Sequence, residues 1–327
     1  AVMRRPLPSL VIIISFVAVS LFGCASNDSD TDPSTTEATS TTTAAAPVAE
    51  EQEASTSTTA TAATTTTGAP AALEATYQVV VTSGLSGEDS QEITVWAPDA
   101  EGAWPVVYGL HGTGGNAQDL AEFARALAGQ GVVVFATDYR SELMPTPQWK
   151  DAYRDTECGY RYARSVAADY GGDLDQPVTI VGHSLGASIA LAMGLNDGVF
   201  GPDGDFDSCP AVAPRPDVIV PLSGCHYEYE GRTFDFDPQA YEFTYDESDV
   251  VLIVGTEDDI CEPWQSEDAA TALQDDGFDT TLVTINNGNH FTVIYHDLVG
   301  GEWLTLPNDP AGMAVTQTIL KAIEAAQ

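Results

Sequence analysis

Basic residues are scarce in this chain. Its 327 residues include 11 Lys+Arg, of which only Lys150 and Lys321 are lysine, against 49 Asp+Glu, for a formal net charge of −38. Phosphate contacts need Lys and Arg clustered on one face, so this charge excludes a nucleic-acid binder. It equally excludes electrostatic docking on anionic lipid. Long apolar runs are also scarce. The run from Leu10 to Phe22 is shorter than the ~20 residues of a membrane-spanning helix. There is no internal repeat, and there are only five cysteines. What is present is an ordinary 43% of hydrophobic residues, enough for a real core. A carboxylate surface with so little lysine stays soluble at high salt, where its self-repulsion is screened. A saline habitat is one reading of this; an acidic exported protein is the other.

The composition changes along the chain. Met3 reads as the start, with Arg4 and Arg5 preceding the apolar run and Gly23-Cys24 closing it. A charged start followed by a short apolar stretch is an export signal. A small residue before Cys24 resembles the bacterial lipobox, whose cysteine is acylated, although Phe22 is unusual at its position. Residues 1–24 are therefore expected to be a signal peptide with a lipobox. The protein is then an outward-facing lipoprotein, touching the membrane only through its anchor, or alternatively a secreted one. Residues 25–74 are rich in Thr, Ala and Ser and have no apolar periodicity, which is the composition of a disordered spacer. Residues 75–327 remain as one folded domain.

Within that domain, short β-branched runs alternate with helical patterns. Tyr77–Thr82 and Glu92–Ala97 read as an opening strand pair. Further strands are expected at Val106–Leu110, Val132–Thr137, Val178–Gly182, Asp217–Leu222, Val250–Val254 and Thr281–Ile285. Helices are expected at Asn116–Ala128, Trp149–Tyr170, Leu185–Leu195, Ala269–Gln274 and Pro310–Ala326. Continuous apolar strands alternating with helices imply an α/β fold, with a mostly parallel sheet covered on both faces. Chemistry in such sheets gathers at the carboxyl ends of the strands.

Two motifs lie at such ends. Gly182-His183-Ser184-Leu185-Gly186 follows the strand PVTIV and precedes a helix of small residues. This is G-x-S-x-G in the strand–turn–helix setting that gives it meaning, and it makes Ser184 the candidate nucleophile. His111-Gly112-Thr113-Gly114-Gly115 follows the strand PVVYGL. Its glycines let backbone amides approach an oxyanion, so the expected donors are the amides of Thr113 and Leu185. His111 and His183 read as packing residues rather than bases.

The order H-G-T-G-G, G-H-S-L-G, acidic loop and late histidine resembles the α/β-hydrolase fold over the whole of 75–327. Thr137-Asp138-Tyr139-Arg140, Pro145, Pro147, Asp151 and Tyr170-Gly171-Gly172-Asp173 are similar to the carboxylesterase and feruloyl-esterase-like branch. HGTGG departs from the HGGG of the hormone-sensitive-lipase-like branch. The resemblance implies an eight-stranded, mostly parallel sheet without a large cap. It also implies an acid after the next-to-last strand and a base after the last one. The base is then His290, in Asn286-Asn287-Gly288-Asn289-His290-Phe291. For the acid, the commonest family spacing after Gly255, with Leu273 and Gly277 in register, favours Asp258. Counting back from Pro263, as in cutinase-like members, favours Asp259 as the alternative. The chemistry implied is ester hydrolysis through an acyl-enzyme, with no metal or organic cofactor. The substrate would be a small-molecule or polymer-borne ester, and the protein a monomer. Polyester or amide cleavage by the same triad, or a catalytically silent envelope binding protein, are the competing readings.

Setting Cys24 aside leaves Cys158, Cys209, Cys225 and Cys261, an even number in an exported chain, which suggests two disulfides. Three pairings are possible. Cys225 and Cys261 follow neighbouring strands at the carboxyl edge and are expected to pair, leaving Cys158 with Cys209. A zinc site of Cys225, His226 and Cys261 is the alternative. His226 could also line the cleft, and His296 reads as surface or core. The aromatic and acidic stretch 223–248 could form a lid or an acyl-binding wall, or an acidic surface excursion.

Overall fold

Alternation within each strand decides the architecture. In the computed structural model, residues 72–79, 91–141, 149–196, 209, 213–229, 232–233 and 243–327 are described. All of them belong to the compact unit Thr64–Gln327. The expected export signal, Cys24 and residues 25–71 lie outside the described residues.

The strands are β1 (Ala72–Val79), β2 (Gln91–Pro98), β3 (Val106–Leu110), β4 (Val133–Thr137), β5 (Val178–His183), β6 (Val218–Leu222), β7 (Glu228–Tyr229), β8 (Arg232–Thr233), β9 (Asp249–Gly255), β10 (Thr280–Ile285), β11 (His296–Val299) and β12 (Glu302–Thr305). Eight of them form one sheet in the order β1-β2-β4-β3-β5-β6-β9-β10. β2 pairs antiparallel with β1 and β4, while the other neighbours run parallel. The helices are α1 (Ala121–Ala128), α2 (Trp149–Val166), α3 (Leu185–Leu195), α4 (Pro263–Asp275) and α5 (Pro310–Ala325).

Successive strand residues point to opposite faces, so each central strand feeds two cores. Tyr108, Phe135, Ile180, Ile219 and Leu252 pack with residues of α2, α3 and α4. Val107, Val134, Val181, Val220 and Ile253 pack with Phe123 and Leu127 of α1 and with Val315 and Ile319 of α5. This is the α/β-hydrolase fold.

Several boundaries differ from expectation. β1 begins at Ala72, ahead of Tyr77, and residues 80–82 lie outside the described residues. The expected helix at Asn116–Ala128 opens with a 3-10 turn, Ala117–Leu120. Asn116 caps it, its Oδ1 accepting from the Gln118 amide at 2.9 Å. α2 likewise ends in a 3-10 turn, Ala167–Tyr170, closed by Gly171 at φ 79°. α4 starts at Pro263, before the expected Ala269, because proline's fixed φ and missing N–H suit the first helical position. The hairpin β11–β12 was not expected. Both disulfides join the expected partners, Cys158–Cys209 and Cys225–Cys261, with Cα atoms 5.2 and 4.6 Å apart. Because Cys225 and Cys261 bond to each other, neither thiolate is left for the zinc alternative.

Candidate active site

Ser184 stands between β5 and α3 at φ 56° and ψ −117°, a backbone conformation that a non-glycine residue adopts only under constraint. The constraint comes from close packing around the turn. A Cβ on Gly182 would overlap the Gly186 carbonyl, and one on Gly186 would lie 2.5 Å from the Leu110 carbonyl oxygen. The Ser184 amide donates to Leu222 O at 3.0 Å, tying the turn to β6. Leu185 opens α3, and the first amides of a helix have no partner within it. They point positive potential at the space beside Ser184.

The loop after β3 is held from three sides. The Tyr139 hydroxyl donates to His111 O, and the two rings stack with centroids 4.1 Å apart. His111 Nδ1 lies 2.8 Å from the Gly112 carbonyl, and its Nε2 lies 3.4 Å from the Tyr139 amide. Those two partners require the neutral Nδ1–H tautomer. Burial lowers the His111 pKa in agreement. The Gly114 amide donates to Ser141 at its carbonyl (3.2 Å) and its hydroxyl (3.1 Å). Arg140 makes a bidentate pair with Asp155 of α2, both contacts at 2.7 Å. Asp138 Oδ1 accepts from the Ala117 amide at 2.7 Å, so the Asp138-Tyr139-Arg140 turn fastens the glycine loop to the 3-10 turn before α1 and to α2.

The loops after β9 and β10 meet. His290 Nδ1 lies 3.0 and 3.1 Å from the two carboxylate oxygens of Asp258, and both residues are buried. Asp259 is exposed and makes no such contact. Asp258 Oδ1 also accepts from the amides of Cys261 (2.8 Å) and Ile260 (3.1 Å). Burial pushes this carboxyl up. The hydrogen bond and charge of His290, the Cys261 amide and the nearby Ser223 hydroxyl outweigh that, and hold it below the ordinary carboxylate range. Ser223 Oγ itself has no hydrogen-bond partner of standard geometry among the described residues.

The histidine loop is fixed by its neighbours. Asn289 Oδ1 accepts from the amides of Phe291 (2.9 Å) and Thr292 (2.8 Å). His183 Nε2 lies 2.7 Å from the His290 carbonyl, so its proton sits there and the ring is a neutral donor. Burial, and then the neighbouring His290, bring the His183 pKa down to about 3.

These pieces share one cleft of about 330 Å³. It is lined by Gly112, Thr113, Ser184, His183 and His290, with Asp119 at one edge. An apolar wall of Leu120, Ile260, Phe291, Ile294 and Trp303 completes it. Sequence reasoning did not find that wall, although Gly300-Gly301 between two apolar stretches is a hairpin signal. Of the described residues in 223–248, none lines the cleft; Tyr227 packs on Trp264 at 5.6 Å instead. His226 is buried outside the cleft lining, and His296 is buried against Trp303. Among the described residues, no group of three or more His, Cys, Asp or Glu could hold a metal ion.

A family model described as serine aminopeptidase, S33, matches residues 103–232, less than half of the chain. That stretch includes the glycine loop and Ser184 but neither Asp258 nor His290. No curated protein matches. Among solved structures the chain is similar to esterase B from Lactobacillus rhamnosis, at 15% identity and a TM-score of 0.58 over 79% of this chain and 87% of that one. A truncated carbohydrate esterase from gut microbiota aligns at 18% identity and a TM-score of 0.53, over 76% of this chain and 96% of that one. A thermophilic esterase from Thermogutta terrifontis, determined with butyrate bound, aligns at 15% and 0.54 over 78% and 94%. At these identities the likeness is one of fold.

Proposed function

We propose that this protein is a serine hydrolase of carboxylic esters. One observation carries the reading: His290, hydrogen-bonded to the buried Asp258, shares a cleft with Ser184, which stands on a strained strand-to-helix turn. His290 Nε2 takes the Ser184 proton as Oγ attacks the ester carbonyl carbon. Asp258 keeps the proton on Nδ1 and stabilises the imidazolium. The amides of Thr113 and Leu185 donate to the oxyanion. Collapse of the tetrahedral adduct breaks the C–O bond, and His290 returns the proton to the departing alcohol. Water, deprotonated by His290, then attacks the acyl-enzyme and releases the acid and free Ser184. The esterase names of the structural neighbours agree with this chemistry. Hydrolysis of p-nitrophenyl acetate that is lost in Ser184→Ala tests it; turnover within tenfold of wild type in that variant would overturn it.

A second reading, cleavage of an amide next to a free amino group, draws on the matched family's description and on Asp119, whose carboxylate at the cleft edge could face an ammonium. Faster turnover of an aminoacyl p-nitroanilide than of the ester would favour it. For location, we propose export and anchoring through an acylated Cys24, with the domain facing outward. Cys24→Ser should then release the protein from the membrane fraction or leave an unprocessed precursor. A wild-type protein that is soluble in the medium and begins at another residue would contradict this.

A further inference from the structure

The hairpin β11–β12 follows the His290 loop directly and turns through Gly300 and Gly301, both at positive φ (63° and 85°). Residues directly opposite in an antiparallel pair share a face. His296 is opposite Thr305, and Leu298 is opposite Trp303. Asp297 is opposite Leu304, and Val299 is opposite Glu302. On one face, therefore, each apolar side chain stands beside a carboxylate. On the other, Leu298 and Trp303 are joined without interruption.

Only this second face continues into the cleft. Trp303 lines it, stacks on the buried His296 (centroids 5.0 Å) and meets Phe291 edge-on at 4.7 Å. Phe291 in turn stands against the His290 ring at 5.1 Å. The result is an apolar ridge from His290 through Phe291 and Trp303 to Leu298. Its outer members stay exposed: Trp303 is 41% and Leu298 49% accessible. Leaving an indole and an isobutyl group in water forgoes burial energy on the order of 25 cal/mol per Å², and exposed apolar surface continuous with a site marks what the site binds.

Resting on the ester-hydrolase reading, we propose that this ridge is a subsite for an uncharged, bulky apolar group of the substrate, an alkyl chain or an aromatic ring, lying along Phe291, Trp303 and Leu298 as it leaves the cleft. Asp119 lines the cleft and the hairpin carries no lysine or arginine, so a carboxylate-bearing group finds no cation there to pair with. The group belongs to either the acyl or the alcohol half of the ester. The chemistry is the same in both cases, and the substrates distinguish them.

The test compares kcat/KM in two arms. The acyl arm uses p-nitrophenyl octanoate against p-nitrophenyl acetate; the alcohol arm uses octyl acetate against methyl acetate, followed by proton release. Trp303→Ala should lower the long-to-short ratio about tenfold in one arm, chiefly through KM. Trp303→Phe should keep most of the ratio. Leu298→Ser, at an exposed position where folding is not at stake, should lower it about threefold in the same arm. Ratios within twofold of wild type in both arms for both Trp303→Ala and Leu298→Ser, with unchanged melting temperatures, would overturn the inference and leave the ester-hydrolase reading standing. A wild-type protein that hydrolyses none of the four esters would instead overturn the reading beneath it, and the inference with it.

Discussion

At the residue scale, function turns on which side chains converge. The two aspartates of the acid loop are neighbours in sequence and opposites in environment: Asp258 is buried on His290 and Asp259 faces solvent. Asp258→Ala should therefore lower kcat by roughly three to four orders of magnitude. Asp259→Ala should leave kcat within about twofold, because exposed positions without partners tolerate change. Steady-state kinetics on one short ester checks this; equal losses, or the reverse order, would mean the assignment is wrong. That Ser184 and His290 stand at strand ends on one cleft was legible from sequence, because each closes a motif whose setting, a strand end followed by a turn, is local. Family spacing favoured Asp258 over Asp259, and Asp258 is the one that meets His290; the physical cause, a turn at Ile260 and Cys261 that directs this carboxylate inward, was not readable. His183 shows the same limit. Its place beside the serine was plain, but its donation to the His290 carbonyl spans 107 residues of chain.

At the scale of elements, the alternating pattern was enough to find every strand of the main sheet. Helix ends were harder, because 3-10 turns and capping residues rather than apolar spacing decide them, as at Asn116 and Pro263. The β11–β12 hairpin escaped for another reason: its side chains are mostly exposed, so no core imposes a readable alternation. The Cys225–Cys261 bridge ties the loop after β6 to the acid loop, one residue beyond the Ile260 amide that holds Asp258. Replacing both cysteines by serine should cost about 2–4 kcal/mol of stability. It should also lower kcat and raise KM, since the loop it frees carries Asp258 together with Ile260, which lines the cleft. Unfolding curves and kinetics on the double variant check this, and a loss of stability with kcat unchanged would make the bridge purely structural. Gly186→Ala should be still more damaging, because its Cβ would press on the Leu110 carbonyl at 2.5 Å, behind the glycine loop. A Gly186→Ala variant with wild-type melting temperature and activity would show that the elbow tolerates a side chain.

At the scale of the molecule, charge and buried histidines set the response to solution conditions. Residues 72–327 hold 42 Asp+Glu against 9 Lys+Arg, and this net charge of −33 repels itself across the folded surface. The Debye length falls from roughly 10 Å at 0.1 M salt to about 3 Å at 1 M, so the melting temperature should rise over that range by about 2–4 °C or more. A flat or falling trend would leave the acidity as a matter of solubility alone. Acid should act the other way. His111, His183, His226 and His296 are all buried with pKa values lowered from 6.5, to about 3 for His183 and about 4 for His226. Below pH 6.5 the unfolded chain binds protons that the folded chain refuses, so stability present above that pH is lost progressively as pH falls toward 4. Asp258 adds to the loss further down: its stabilising contribution, present above the ordinary carboxylate pKa, disappears as pH falls through its lowered value. Melting temperatures from pH 7 to pH 4 should decline throughout, and a plateau down to pH 4 would contradict the burial argument. The central claim, that one serine forms a covalent acyl intermediate, is tested most directly by intact-protein mass spectrometry after treatment with a p-nitrophenyl phosphonate ester. Wild-type protein should gain the mass of a single phosphonyl group, and Ser184→Ala should gain none. An unmodified wild-type protein that still hydrolyses esters, or a Ser184→Ala protein labelled like wild type, would contradict it.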